Sequence, residues 1–352
     1  MEKRDRVKKI KVGGVEIGGG APVSVQTMCN TKTWEATAAQ IKAMEAAGAD
    51  IVRIAIPDME SAKAVSRIKE QVRVPLVADI HFDYRLALEV AERGIDKIRI
   101  NPGNIGAEEN VKAVADSCRR HGIPIRIGVN AGSLEPRLLE KYGHPCPEAL
   151  VESAKGHAAL LEKYDFTDIC ISMKASSVPL TIATYRLASQ VFPYPLHLGV
   201  TETGTEWNGT IQSAVGIGTL LCEGIGNTIR VSLTADPVRE VSAGIAIVKA
   251  AGLRPGGVKF VSCPTCGRTE IDLISLASQV EQRVKDMPRD ITVAVMGCVV
   301  NGPGEAREAD YGIAGGKGKG LIFKKGQVLG TYPYEELCDR LVELIEKDGE
   351  RA

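Results

Sequence analysis

The chain has 352 residues, 44% of them hydrophobic, and 44 basic residues balance 44 acidic ones to a formal charge of zero. That length suits two domains or one barrel with an extension. The balanced charge argues against wholesale electrostatic binding to nucleic acid or to an anionic membrane, though a local basic pocket is still allowed. The first ten residues are charged, with no apolar run behind them, and no apolar stretch reaches the length of a membrane span. Nine cysteines, most of them isolated in apolar segments, fit a reducing compartment with some metal-binding thiols better than a disulfide framework. A cytoplasmic protein is expected.

From about residue 20 to residue 250, β-rich runs alternate with amphipathic segments. The runs cover 23–26, 51–54, 76–79, 97–100, 125–129, 168–172, 196–200 and 228–232. Helical patterns lie between them, for instance at 36–47, 61–71, 85–93 and 109–120, with Ser61 placed to cap the second. Gly48, Gly94 and Gly122 close three of these helices, the punctuation of a chain that leaves a helix and re-enters a sheet. Eight such β/α units predict a TIM (β/α)8 barrel, an α/β fold. An open doubly wound sheet is the rival, but no Gly-x-Gly-x-x-Gly follows the first strand.

In a barrel, alternate strand residues point inward and the carboxyl ends of the strands carry the chemistry. Pairs spaced for one face are Asp79/His81, Arg99/Asn101, Ser172/Lys174 and Arg230/Ser232. Arg126 shares a face with Asn130, and His197 leads through Gly199 into Thr201 and Glu202. An arginine inside a parallel strand is costly to bury unless paired. Any one of Arg53, Arg99, Arg126, Arg230 and Lys174 could simply meet a neighbouring carboxylate. Five together at one rim of a neutral chain imply a multiply anionic ligand, most simply a phosphate or diphosphate. His81 alone reads equally well as a structural histidine.

After Gly252 the pattern changes. A Pro/Gly linker at 253–257 separates residues 1–252, the barrel, from residues 253–352, a small α+β domain. Its strands are expected at 258–261 and 291–296, its helices at 271–285 and 334–347, and a hairpin at 320–324 and 327–330. Gly315 to Gly320 reads as a mobile turn leading into that hairpin. Cys263-Pro-Thr-Cys266 places two sulfurs on one loop, Cys298 follows the strand, and Asn301-Gly-Pro-Gly-Glu305 could return a carboxylate to the same point. Three readings compete: an iron–sulfur cluster on three cysteines with an oxygen ligand at the remaining iron, a structural zinc, and a redox dithiol. The other six cysteines, Cys29, Cys118, Cys146, Cys170, Cys222 and Cys338, are assigned no role.

With these blocks in view, the chain resembles the bacterial 4-hydroxy-3-methylbut-2-enyl diphosphate synthase family over nearly its whole length. The resemblance rests on Ser24-Val-Gln-Thr-Met28, Val77-Ala-Asp-Ile-His-Phe-Asp83, Arg99-Ile-Asn-Pro-Gly103, Arg126-Ile-Gly-Val-Asn130 and Ser172-Met-Lys-Ala-Ser176. It extends through His197-Leu-Gly-Val-Thr-Glu202, Cys263-Pro-Thr-Cys-Gly-Arg268 and Gly297-Cys-Val-Val-Asn-Gly-Pro-Gly-Glu305. It implies a TIM barrel followed by a domain similar to those of sulfite and nitrite reductases. There a [4Fe-4S] cluster would be held by Cys263, Cys266 and Cys298, with Glu305 on the fourth iron. It also implies reductive ring opening and dehydration of 2-C-methyl-D-erythritol 2,4-cyclodiphosphate in the non-mevalonate isoprenoid pathway. Two electrons would come from flavodoxin or ferredoxin through a cluster whose unique iron binds a substrate oxygen. By the same resemblance Glu202 would donate a proton, Asp79 and His81 would orient or exchange protons, and the protein would work as a head-to-tail homodimer. A non-redox barrel enzyme acting on a phosphorylated substrate, with a zinc appendage, is the alternative, and a binding module whose cluster senses oxygen or iron is another.

Overall fold

A computed structural model describes residues 3–285, 287–298 and 308–349. The chain separates into two compact units, Met1–Arg254 and Pro255–Ala352.

The first unit opens with an antiparallel hairpin, β1 (Ile10–Val12) and β2 (Val15–Ile17). The alternation then runs β3 (Ser24–Met28), α1 (Trp34–Ala46), β4 (Ile51–Ala55), α2 (Met59–Lys69), β5 (Leu76–Asp79), α3 (Tyr84–Glu92), β6 (Lys97–Ile100) and α4 (Glu108–His121). It continues β7 (Ile125–Asn130), α5 (Pro136–Tyr142), α6 (Pro147–Glu162), β8 (Ile169–Lys174), α7 (Val178–Val191), β9 (His197–Leu198), α8 (Glu206–Cys222), β10 (Thr228–Ile229) and α9 (Pro237–Ala250). Strands β3 to β10 pair in parallel in the order β8-β7-β6-β5-β4-β3-β10-β9. A parallel bridge between Ile171 and Leu196 joins the two ends, closing a TIM barrel. All eight predicted strands are present. The last two pair over only two residues each.

Two local expectations change. Ser61 does not cap α2; Asp58 does, its Oδ1 accepting the Ser61 N–H at 2.8 Å, which puts Ser61 in the first turn. The hairpin of β1 and β2 was not visible as a pattern, since each strand is only three residues long. Its Ile10, Val12 and Ile17 pack on Ile51, Val77 and Cys170, at the amino ends of their strands, and so plug the lower mouth of the barrel.

Strand alternation sorts the barrel into two faces. Val52, Ile54, Leu76, Ala78, Ile98, Ile100, Ile125, Ile127, Ile169 and Ile171 join the large core between sheet and helices. Their neighbours face inward, and above the plugged floor that inner face is polar. Barrel interiors are ordinarily filled by branched apolar side chains.

The second unit holds a five-stranded sheet of β11 (Val258–Ser262), β12 (Ile291–Met296), β13 (Tyr311–Gly316), β14 (Lys319–Lys324) and β15 (Gln327–Pro333) in that order, packed by α10 (Leu273–Val284) and α11 (Leu337–Gly349). The first three strands run parallel and the last two antiparallel. Gly315 and Gly316 are strand residues of β13, not part of a mobile turn, and only Lys317 and Gly318 form the turn to β14. A Cβ on Gly315 would stand 2.5 Å from Ile271, and one on Gly320 would stand 2.8 Å from Leu337. Close packing thus explains Gly315 and Gly320, while Gly318, with a φ of 64°, supplies the left-handed turn between the strands.

Candidate active site

On the inner face of the barrel the predicted cations do gather, but at different depths, from Arg126 near the amino end of its strand to Lys174 at the carboxyl end of its own. Arg53 (β4), Arg99 (β6) and Arg126 (β7) are joined by Lys174 (β8) and Arg230, which follows β10. Asp79, at the end of β5, sits among them with 5% of its side chain exposed. It lies 3.2 Å from Arg99 Nη1, 3.8 Å from Arg53 Nε and 3.4 Å from His81 Nε2. Burial alone would raise its carboxyl pKa. The hydrogen bond from His81 and the charges of Arg53 and Arg99 outweigh that and hold it well below the usual carboxylate range. Arg99 also donates to the Gly128 carbonyl at 3.3 Å. A Cβ at Gly128 would come within 2.3 Å of Arg99 Nε, and one at Gly199 within 2.7 Å of Lys174 Nζ. These two glycines leave the space that the cations fill. Gly128→Ala is therefore expected to displace Arg99 and raise the substrate KM by about tenfold, roughly the value of one disturbed charge-assisted contact, with little change in the far-ultraviolet spectrum. Steady-state kinetics check it.

The cations are under strain from one another. Burial first, and then neighbouring arginines, push Arg53 and Lys174 well below their usual pKa values, and Arg126 down to about 10. His197, wholly buried, is pushed far below the imidazole range by burial and by Arg126, Lys174, Lys97 and Arg53, so it is neutral at physiological pH. An anion entering this rim would relieve repulsion already present in the empty fold.

Other predicted residues hold looser or different places. Asn101 is buried, but its Oδ1 accepts the Gly103 N–H at 3.0 Å and shapes a turn. Ser172 donates to the Ile127 carbonyl at 3.2 Å. His81, on the rim, leaves 56% of its side chain exposed. Asn130, Thr201 and Ser232 are half-buried where β7, β9 and β10 run out toward the rim, and no side-chain hydrogen bond ties them to the cation group among the described residues. Glu202 is exposed and has a φ of 57°, a left-handed conformation that a residue other than glycine rarely adopts.

Three participants were not predicted. Glu240, from the first turn of α9, is buried and lies 3.3 Å from Arg230 Nη2, while it accepts from Thr27 Oγ1 at 2.9 Å and from the Leu233 N–H at 3.0 Å. A helix residue that reaches over a strand end leaves no trace in strand periodicity. Met28 places its sulfur 2.7 Å from Arg53 Nη2. Lys97 stands two residues before Arg99 on the inner face, fully buried, and the same spacing rule that found Asp79/His81 would have found it.

In the second unit, parallel pairing of β11 with β12 brings the ends of both strands side by side, with Ser262 opposite Val295. Cys263 and Cys298 follow these ends. The Gly297 N–H donates to Cys263 Sγ at 3.2 Å, so the residue before Cys298 touches the first sulfur of the pair. Cys266 is exposed on a turn closed by its N–H to Thr269 Oγ1 at 3.1 Å, and N–H donation from Arg268 lowers its thiol pKa. Three thiols on adjoining loops, one of them favoured as thiolate, are a donor set that suits a thiolate-held metal cluster. Among the described residues, no three His, Cys, Asp or Glu side chains gather closely enough around one point to hold a single ion such as zinc. Glu305 lies outside the described residues.

Comparison with known proteins adds to this geometry. Residues 7–245 match the GcpE TIM-barrel domain and residues 259–347 match the GcpE protein C-terminal domain. A Clostridium perfringens protein named 4-hydroxy-3-methylbut-2-en-1-yl diphosphate synthase (flavodoxin) is 58% identical over 345 residues, which is 97% of this chain and 99% of its own. The protein of that name from Geobacter sulfurreducens is 56% identical over 97% of this chain and 98% of its own. Among solved structures, a Yersinia pestis dihydropteroate synthase superposes with a TM-score of 0.50 at 15% identity, covering 69% of this chain and 98% of its own. A Thermotoga maritima phospho-2-dehydro-3-deoxyheptonate aldolase gives 0.51 at 13% identity, over 71% and 75%. These two likenesses concern the barrel fold alone.

Proposed function

Because the chain belongs to the GcpE family, we propose that it is a flavodoxin-dependent oxidoreductase that forms 4-hydroxy-3-methylbut-2-enyl diphosphate for isoprenoid synthesis. Its substrate is 2-C-methyl-D-erythritol 2,4-cyclodiphosphate. Two electrons enter, the ring C–O bond to one phosphoryl breaks, and a hydroxyl leaves with a proton as water. The observation that carries this reading is the inner-face group of Arg53, Arg99, Arg126, Arg230 and Lys174, largely buried and met by only two carboxylates, Asp79 and Glu240, among the described residues.

Within the barrel, arginine forks and Lys174 hold the diphosphate and take up the charge that grows on the released phosphoryl oxygen. Asp79 keeps Arg53, Arg99 and His81 aimed while the site fills. Neutral His197 and the hydroxyl of Ser172 orient the ligand, and Asn101, Asn130, Thr201 and Ser232 shape the rim around it. Glu202, strained and open to solvent, gives the proton to the departing hydroxyl. Cys263, Cys266 and Cys298 would hold a [4Fe-4S] cluster, with Glu305 as its oxygen ligand. When bound, that group supplies the electrons one at a time and acts as a Lewis acid. A head-to-tail homodimer, in which one protomer's cluster unit serves its partner's barrel, completes the proposal.

The test is anaerobic preparation followed by turnover of the cyclodiphosphate with reduced flavodoxin. A colourless protein with stoichiometric zinc and no sulfide would sink the reading. Glu305→Ala is expected to retain iron and sulfide on three thiolates while turnover falls by at least about 100-fold, some 2.7 kcal/mol of transition-state stabilisation. Iron analysis beside steady-state rates checks this, and a fully active variant would remove Glu305 from the chemistry.

A further inference from the structure

Below the rim cations, the inner face contains buried polar atoms with no partner. They are Lys97 Nζ on β6, Arg126 Nε and Nη1 on β7, His197 Nε2 on β9, and both side-chain atoms of Gln26 on β3. Lys97 and His197 show no exposed surface, and Gln26 and Arg126 show 1% each. Val25 packs against α9 at Gly244, so its neighbour Gln26 points to the barrel axis. His197 and Lys97 each lie within the electrostatic reach of Arg126 and Arg53. Ile51, Val77 and Cys170 are the register partners of Gln26, Lys97 and Arg126 on neighbouring strands, and the β1–β2 hairpin packs on that set and closes the space from below.

These orphan atoms are unequal in kind. Lys97 and Arg126 can only donate, and Gln26 Nε2 also donates. His197 Nδ1 lies 3.4 Å from Thr228 Oγ1, and with that hydroxyl donating to it the imidazole proton sits on Nε2, a further donor. Gln26 Oε1 is the one atom of the set that can only accept. A buried group in which donors outnumber acceptors this far is complementary to an anion rather than to a cation. Charge points the same way. Of six inner-face basic side chains, counting Lys97, Arg53 and Arg99 meet Asp79 and Arg230 meets Glu240, which leaves Lys97, Arg126 and Lys174 with no carboxylate partner among the described residues. A cyclic diphosphate brings one negative charge per phosphoryl and so offsets only part of that unpaired charge.

We propose that the closed lower half of the barrel is a second anion site, in which Lys97, the inner edge of Arg126, His197 and Gln26 hold one small monovalent anion of halide size beneath the substrate. The ion's charge offsets part of the cation excess whether or not substrate is bound. Arg126 and His197 also belong to the substrate site proposed above; the inference rests on their remaining unpartnered atoms and on Lys97 and Gln26, and it is read in substrate-free protein.

Crystals of the anaerobically prepared full-length protein, grown in bromide without substrate, test it directly. The expected result is an anomalous peak in contact with Lys97 Nζ and Arg126, distinct from any ion at Asp79 and the rim. In solution, bromide in place of gluconate at equal ionic strength is expected to raise the unfolding midpoint saturably by about 2–4 °C, and Lys97→Met is expected to lose that shift and the peak. Ordered water alone at Lys97, or bromide confined to the rim arginines, would overturn the proposal. So would an undiminished bromide shift in the Lys97→Met protein. If that variant does not fold, the wild-type crystal decides alone.

Discussion

Cys298→Ala is expected to abolish turnover, with a loss of at least about 1,000-fold, roughly 4 kcal/mol or more of transition-state stabilisation, and to strip the protein of most of its iron and sulfide. Cys298 lies two residues after β12 and is 8% exposed, so by packing alone it resembles a core thiol. Its position argues otherwise. The preceding residue, Gly297, donates to Cys263 Sγ, and a Cβ on Gly297 would crowd Thr269 at 3.0 Å, so the two cysteine loops fit together closely. Removing one of the three thiolates would leave the proposed cluster without its third protein sulfur. Visible absorption and iron analysis of the anaerobic protein decide the matter: a brown, iron-replete alanine variant would make Cys298 a packing residue after all.

Asp79→Asn is the second large effect. The carboxylate is shared by Arg53, Arg99 and His81, and removing one partner of a buried charge network costs about 3–5 kcal/mol because the remaining charges stay buried. Thermal unfolding of the substrate-free protein should record that loss, and kcat/KM should fall by about 100-fold as both arginine forks lose their common anchor. Acidity supplies an independent check. The folded-state pKa of Asp79 is depressed, so its contribution to stability is fully present above the ordinary carboxylate value of about 3.9. That contribution is lost as pH falls from there toward the folded-state value. The acid limb of the stability curve should therefore be shallower in the asparagine variant. If stability falls while turnover does not, Asp79 is a counter-ion only.

Much of the barrel was legible because its signal is local. Apolar alternation and helix-closing glycines place all eight strands, and the same period of two picks out Arg53, Arg99, Arg126, Lys174 and Arg230. What escaped depends on tertiary contact. Glu240 reaches Arg230 from a helix, Met28 meets Arg53 across a strand pair, and the three-residue strands of the first hairpin are too short to show a period. The missed strand β13 shows the opposite failure. Its glycines are there because Ile271 and Phe323 press on the sheet, yet by composition they argue for a loop. At the cysteines, spacing alone left cluster, zinc and dithiol all open, and it was the contact between the Gly297 amide and the Cys263 sulfur that drew the loops together.

The hairpin of β1 and β2 has one more consequence. With Ile10, Val12 and Ile17 stopping the lower mouth, the barrel is a vessel with one neck. On the reading proposed above, the incoming ring, the outgoing chain and the released water would then use the same door in turn. Product lingering there would shut out the next substrate, and the pace of the enzyme would then depend as much on how readily the proposed arginine site lets go as on how firmly it grips.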